Sequence, residues 1–178
     1  MAGGAPVSVR MIVMAQKRCE VMFVCSGNTC RSPMAEHVLR ARLGHEGLAG
    51  LVGVASSGLH VREPGGPVDS RAVAALRGRG HACEHVVRRF EPGMLHRYDL
   101  IIALDTGHER LLRRAAASAE PAAAKIRLLR SFDPAAGGAA DVPDPVSGGA
   151  ADYERVLRLI EAAMPGVIAA IRANDRTA

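Results

Sequence analysis

Short apolar runs alternate along the chain with longer stretches in which apolar residues recur every third or fourth position. The short runs are Val21–Cys25, Val52–Ser56, Leu100–Leu104 and Ile126–Leu129, rich in Val, Ile and Leu and of the length that a sheet buries on both faces. The longer ones, Pro33–Leu43, Ser70–Arg79, Gly107–Ala117 and Ala151–Arg172, carry helical spacing, with Asp69 and Thr106 placed as caps. Strand and helix in turn predict a single α/β domain, a three-layer sandwich with a central four-stranded parallel sheet and helices on both faces. The stretch from Asp133 to Ala151, with its Gly, Ala and Pro, reads as a loop within that domain, and no internal repeat is visible. Ligands of such sheets bind at the carboxyl ends of the strands near a topological switch point, where the loop after the first strand lies.

That loop carries the chemistry. Residues 24 to 36 read Val24-Cys25-Ser26-Gly27-Asn28-Thr29-Cys30-Arg31-Ser32-Pro33-Met34-Ala35-Glu36, so a cysteine and an arginine stand six positions apart between a strand and a helix. A small polar loop entering a helix turns successive N–H groups inward and adds the positive end of the helix dipole, which makes an anion cradle. A thiol at its mouth is drawn toward the nucleophilic thiolate, and a guanidinium can grip two phosphate oxygens at once. Cys25 is therefore the candidate nucleophile, Ser26 to Arg31 the candidate phosphate loop, and Ser32 a hydrogen-bond donor to the thiolate. A general acid for the leaving group has to come from elsewhere. Asp144, in Asp141-Val142-Pro143-Asp144-Pro145, is the candidate, since the proline after it stiffens the loop; Asp141 is the fallback.

Composition narrows the setting. At 178 residues the chain suits one domain with a core of its own. The net charge of +5 comes from scattered arginines, and the five aromatics are not interleaved with a basic cluster, so nucleic acid is not an expected partner. The four cysteines, Cys19, Cys25, Cys30 and Cys83, lack metal-ligand pairing, so neither a metal nor another cofactor is expected, and the compartment reads as reducing. No stretch approaches a membrane span, which points to a cytoplasmic enzyme. Residues 1–18 read as a flexible extension ahead of a domain over 19–178, and the molecule as a monomer or weak dimer.

The loop and its continuation through Ser-Pro-Met-Ala-Glu resemble the signature of the low-molecular-weight protein tyrosine phosphatases. Further likenesses are Ser56-Ser57-Gly58 to that family's Ser-Ala-Gly, Pro67-Val68-Asp69-Ser70-Arg71 to its Pro-x-Asp-x-Arg, and His85 with Arg88 to its His-x-x-Arg. The resemblance implies a flavodoxin-like, Rossmann-like phosphatase fold and hydrolysis of phosphomonoesters through a cysteinyl phosphate. It implies that Asp144 protonates the leaving group and then activates water. Asn28, Ser32, Ser56 and His85 would form a network that holds the loop open, although His85 taken alone reads as a surface or satisfied core histidine. Cys30 would be the second loop cysteine, able to pair reversibly with Cys25.

Two features depart from the family pattern. Val146 and Ser147 follow Asp144-Pro145 where Tyr or Phe is usual, and the segment Leu59 to Gly66 brings His60 and Arg62 but no Tyr or Trp. Thr29 replaces the aliphatic residue common in phosphotyrosine-selective members and resembles the loop of bacterial phosphoarginine phosphatases. The expectation is a small polar rim of His60, Arg62, Val146 and Ser147. It suits a polar small-molecule phosphate, such as a sugar or nucleoside phosphate of specialised metabolism, with protein phosphotyrosine or phosphoarginine as the alternative. Two rival classes share the loop: an arsenate reductase, for which Cys83 lacks a close cysteine partner, and a phosphate-binding module without turnover.

Overall fold

The computed structural model describes residues 19–117 and 122–175, so the extension expected over 1–18 lies outside the described residues. The elements run β1 (Cys19–Cys25), α1 (Arg31–His45), β2 (Val52–Gly58), α2 (Ser70–Gly78), α3 (Met94–Arg97), β3 (Leu100–Ala103), α4 (Thr106–Ala115), β4 (Ile126–Leu128) and α5 (Ala150–Asp175). The four strands form one parallel sheet in the order β2-β1-β3-β4. The sandwich expected from the sequence is the fold of the described residues.

The side-chain alternation of β1 divides the core. Val21, Phe23 and Cys25 point to one face, where α1, α2 and α5 pack, while Met22 and Val24 point to the other, against Leu95 of α3 and Leu112 of α4. Both faces are covered, which is why the strands read as continuous apolar runs. The chain goes from β1 outward to β2 and then crosses back over β1 to β3. That reversal opens a crevice at the carboxyl end of β1, at Cys25.

Several boundaries differ from the sequence reading. Helix α1 begins at Arg31, ahead of Pro33, and its first half is buried on nearly every side because the sheet and two helices surround it. The short α3 was not expected. Asp69 caps α2 by accepting from the Arg71 N–H, as predicted. For α4 the cap is Asp105 in place of Thr106: its carboxylate accepts from the His108 N–H, and Thr106 is already the first helical residue. Gly166 of α5 faces the Phe132 carbonyl so closely that a Cβ there would clash, which lets the long helix lie against the turn over 129–132.

Candidate active site

In a trans peptide the carbonyl of one residue and the N–H of the next point in opposite directions. The Cys25 carbonyl accepts from Leu59 N (2.9 Å), that of Ser26 from His60 N (2.8 Å) and that of Thr29 from Asp69 N (2.9 Å), all outside the loop. The N–H groups of Ser26, Gly27 and Cys30 are thereby turned the other way, into a cleft of about 550 Å³ that Cys25, Ser26, Gly27, Thr29, Cys30 and Arg31 help to line. The N-cap residue of α1, Cys30, makes no side-chain cap, and the first turn carries no acidic residue, so the positive helix end faces the same cleft uncompensated. Gly58 closes the loop from below: a Cβ there would lie 2.7 Å from the Ser26 carbonyl oxygen and 2.8 Å from Asn28 N.

Asn28 holds the loop in shape. It is fully buried with φ 56°, a left-handed conformation that Asn tolerates better than most residues. Its Nδ2 donates to Ser32 Oγ (2.9 Å) and Ser56 Oγ (2.8 Å), and its Oδ1 accepts from Arg88 N (2.8 Å) and pairs with His85 Nε2 (2.9 Å). With Oδ1 already accepting, His85 Nε2 is the donor of that pair. The other ring nitrogen, Nδ1, lies 3.3 Å from Glu36 Oε2, which also accepts from Ser56 Oγ at 2.7 Å. Burial works to raise the Glu36 carboxyl, but His85, Ser56 and the Arg40 guanidinium outweigh it and hold Glu36 below the ordinary value. Ser32 Oγ stands 3.0 Å from Cys25 Sγ, at the end of this network.

Arg31 is buried behind the cleft. Its Nη1 donates to Asp105 Oδ2 (2.9 Å) and the Val142 carbonyl (3.1 Å), and its Nη2 to Asp144 Oδ2 (2.8 Å). Burial tends to raise Asp105, yet the His108 side chain beside it, the His108 backbone N–H and the Arg31 guanidinium keep it far below the usual carboxylate range. Asp144 lines the cleft, and its side chain is about half exposed. Asp141, the fallback acid, accepts from the backbone N–H of Thr106 at 2.8 Å and is absent from the cleft lining. The two aspartates of one loop thus have different positions, a distinction their spacing could not supply.

A second cluster joins the phosphate loop to the Asp144 loop. The Arg71 guanidinium carbon sits 4.8 Å over the Tyr153 ring centroid, and the side chain makes a paired contact with Asp69 and donates to the carbonyls of Gly148 (2.8 Å) and Val146 (3.2 Å). Tyr153 donates its hydroxyl proton to Asp69 Oδ2 (2.9 Å) and also stands 3.5 Å from Cys30 Sγ. Hydrogen bonds from Arg71 outweigh burial and lower the Asp69 carboxyl to about 2. Burial raises the Cys30 thiol. Cys25 and Cys30 are both free thiols.

Above the loop the cleft is walled by His60, Arg62, Glu63, Gly66, Pro67, Val87 and Val146. His60, Arg62 and Val146 are where the sequence reading put them. Ser147 is not, since the backbone there turns between the two carbonyls that Arg71 holds. Val87, Pro67 and the exposed Val146 also make the rim less polar than expected. Glu63, Val87, Glu36, Asp105, His108 and Tyr153 were not singled out in the sequence. For Asp105 and His108 a signal existed, a carboxylate ending a strand and a histidine three residues on, but that pattern also fits an ordinary helix start. Among the described residues no group of three or more His, Cys, Asp or Glu could hold a metal ion, and no helix is long and apolar enough to cross a membrane.

Comparison with known proteins agrees with this geometry. The family model described as low molecular weight phosphotyrosine protein phosphatase matches residues 20–177. A low molecular weight protein-tyrosine-phosphatase of Streptomyces coelicolor is 50% identical over 153 residues, 85% of this chain and 93% of the relative. The low molecular weight protein-tyrosine phosphatase A of Mycobacterium tuberculosis is 44% identical over 149 residues, 83% and 88% of the two chains. Among solved structures, a protein tyrosine phosphatase of Entamoeba histolytica with Hepes in its active site superposes with a TM-score of 0.82 at 27% identity, covering 87% of this chain and 97% of that one. The YwlE arginine phosphatase with a phosphorylated active-site serine superposes at 0.75 and 28% identity, over 86% and 95%. The match from residue 20 to 177, the half-identical Streptomyces relative and the shared fold place this chain in the low molecular weight phosphotyrosine protein phosphatase family, cysteine-based hydrolases of phosphoric monoesters.

Proposed function

We propose that Cys25 is the nucleophile of a two-step hydrolysis and that Arg31 and Asp144 are its catalytic partners. The observation that carries this reading is the convergence of three groups on one cleft: a thiol 3.0 Å from the Ser32 hydroxyl, the inward N–H groups of the loop, and an arginine paired with an aspartate across the mouth. In the first step Cys25 Sγ attacks phosphorus, the bond from phosphorus to the leaving oxygen breaks, and Asp144 gives that oxygen its proton. In the second a water attacks the cysteinyl phosphate, its proton passes to Asp144, and the thiolate departs with inorganic phosphate released. The N–H groups of Ser26 to Arg31 and the guanidinium stabilise the equatorial oxygens. Asp105 and Val142 anchor Arg31 through Nη1, so the Nη2 contact to Asp144 is the one a phosphate oxygen replaces. No metal takes part, and activity survives EDTA.

For the substrate we infer a polar phosphate without an aromatic leaving group, such as a sugar or nucleoside phosphate. The walls support it: His60, Arg62 and Glu63 offer hydrogen bonds and both charges, and among the described residues no Tyr, Phe or Trp lines the cleft. A second reading, protein phosphotyrosine, is favoured by the apolar pair Val87 and Val146 and by the names of the Streptomyces and Mycobacterium relatives. Thr29 in the loop favours a third, phosphoarginine, the substrate class in the YwlE name. Turnover of a phosphotyrosine peptide, a phosphoarginine peptide and a panel of sugar and nucleoside phosphates decides among them by kcat/KM. A preference for either peptide overturns the first reading. Cys25→Ser abolishes turnover while retaining phosphate binding; residual hydrolysis above about one part in a thousand would assign the nucleophile elsewhere.

A further inference from the structure

The two-step scheme leaves the Ser26 hydroxyl and its partner His108 unused. Ser26 follows the nucleophile in the loop and lines the cleft, and its Oγ lies 2.8 Å from His108 Nε2. His108, on the first turn of α4, is 4% exposed. Its Nδ1 stands 3.0 Å from Asp105 Oδ1, off the line of a true hydrogen bond. Asp105 also holds Arg31 through its other oxygen. A hydroxyl, an imidazole and a carboxylate therefore stand in a row one residue from Cys25 and end on the phosphate-gripping arginine.

We propose that Ser26 is a phosphoryl-contacting donor and that His108 is the positioning residue that aims its proton. The hydroxyl has one proton and two lone pairs. If Nε2 accepts, Ser26 spends its proton on the ring and turns lone pairs toward the cleft, where they meet phosphate oxygens unfavourably. If Nε2–H donates, the hydroxyl proton is free to point at a phosphate oxygen. A dianion in the cradle selects the second arrangement, the tautomer in which the ring donates from Nε2 toward Ser26. The charged and titratable groups facing the ring are Asp105 from the α4 cap and, behind it, Arg31 of α1, which also meets Asp144. Cys25 lies beside Ser26 in the loop. No covalent step is involved, since His108 sets only the direction of a hydrogen bond.

The inference rests on the cradle being the phosphate site, and the test separates the two. The inhibition constant of inorganic phosphate, together with KM and kcat for p-nitrophenyl phosphate, is measured for the unsubstituted enzyme, Ser26→Ala, His108→Leu, His108→Gln and the double variant Ser26→Ala/His108→Leu. Thermal unfolding is followed in parallel. Ser26→Ala and His108→Leu each weaken phosphate about ten- to hundredfold, the size of one lost hydrogen bond to a charged group. The double variant is no weaker than either single one, because both remove the same contact. His108→Gln, whose amide N–H takes the place of Nε2–H, recovers most of the affinity lost in His108→Leu, which a purely space-filling role would not produce. Ser26→Ala keeps the test available if His108→Leu unfolds. Phosphate affinity within twofold of the unsubstituted value in Ser26→Ala overturns the proposal, as does full additivity in the double variant. If phosphate fails to compete with substrate in the unsubstituted enzyme, the phosphate-site reading itself falls, and this inference with it.

Discussion

The floor of the cleft and its rim are built on opposite terms. Beneath the loop, Asn28 uses both amide atoms on four partners, Glu36 is 1% exposed and shared between Ser56 and His85, and Ser32 touches both Asn28 and Cys25. Buried polar groups that are all satisfied fix one geometry, since any change leaves a partner stranded away from water. Above the loop, His60, Arg62, Glu63 and Val146 are exposed. Nothing comparable binds the rim's identity to the floor's. The difference teaches why reaction and substrate are separate questions: a change at the floor costs stability and turnover together, whereas a change at the rim alters only what is admitted.

Four experiments break or sharpen that contrast. Asn28→Ala strikes the floor hardest. It strands Arg88 N–H, His85, Ser32 and Ser56 and puts alanine at a positive φ, so urea unfolding reports about 3 kcal/mol of lost stability, and kcat falls at least ~100-fold for every substrate alike. Retention of full activity would show that the network does not hold the loop. Asp144→Asn acts at the boundary between floor and rim. It lowers turnover of alkyl phosphates by about 100-fold but that of p-nitrophenyl phosphate far less, because a good leaving group needs no proton. An equal loss on both would remove Asp144 as the acid.

Asp69 gives a smaller effect with a definite pH signature. Its carboxyl stands at about 2 in the fold against an ordinary 3.8. A lowered carboxylate contributes stability that is fully present above the ordinary value and is lost as pH falls through the lowered one. Asp69→Asn therefore destabilises most above about pH 4, and its gap from the unsubstituted protein closes toward pH 2. A gap that does not depend on pH would mean that the contribution is packing around Tyr153 and Arg71 and not charge. The rim gives the smallest effect: Arg62→Ala shifts stability by less than about 0.5 kcal/mol, and kcat/KM changes by a few-fold on the preferred substrate while p-nitrophenyl phosphate is unaffected. A loss of stability beyond that would join the rim to the floor.

The elements the sequence disclosed most fully are those set by local rules. β1 and β3 were visible because a strand covered on both faces reads as an unbroken apolar run, and α2 because Asp69 starts it with a cap. The start of α1 was placed late, at Pro33, since nothing in the sequence shows that Arg31 and Ser32 are already helical when the cap side chain is missing. Thr106 reads as a cap one residue past Asp105, because both residue types serve and only the backbone angles distinguish them. At the site, the proline after Asp144 favours it over Asp141 in the sequence, and the fold gives the two different partners, Arg31 for one and the Thr106 N–H for the other. Ser147 reads as a rim residue because it stands where the family pattern has Tyr or Phe, and the hold of Arg71 on the flanking carbonyls keeps it out of the cleft lining.

The sequence by itself determined the order of strands and helices and the contiguous loop from Cys25 to Ser32, because periodicity and a strand-to-helix turn are local properties. With them came the anion cradle and the class of reaction. Only the tertiary structure decided which further distant groups reach that loop: Asp105 and His108 from one side, Tyr153 and Arg71 from another, and Glu63 and Val87 in the wall above it. The reason is physical. These partners lie many residues away along the chain, and the packing of α1, α4 and α5 on the sheet sets the 3 Å distances that make them act.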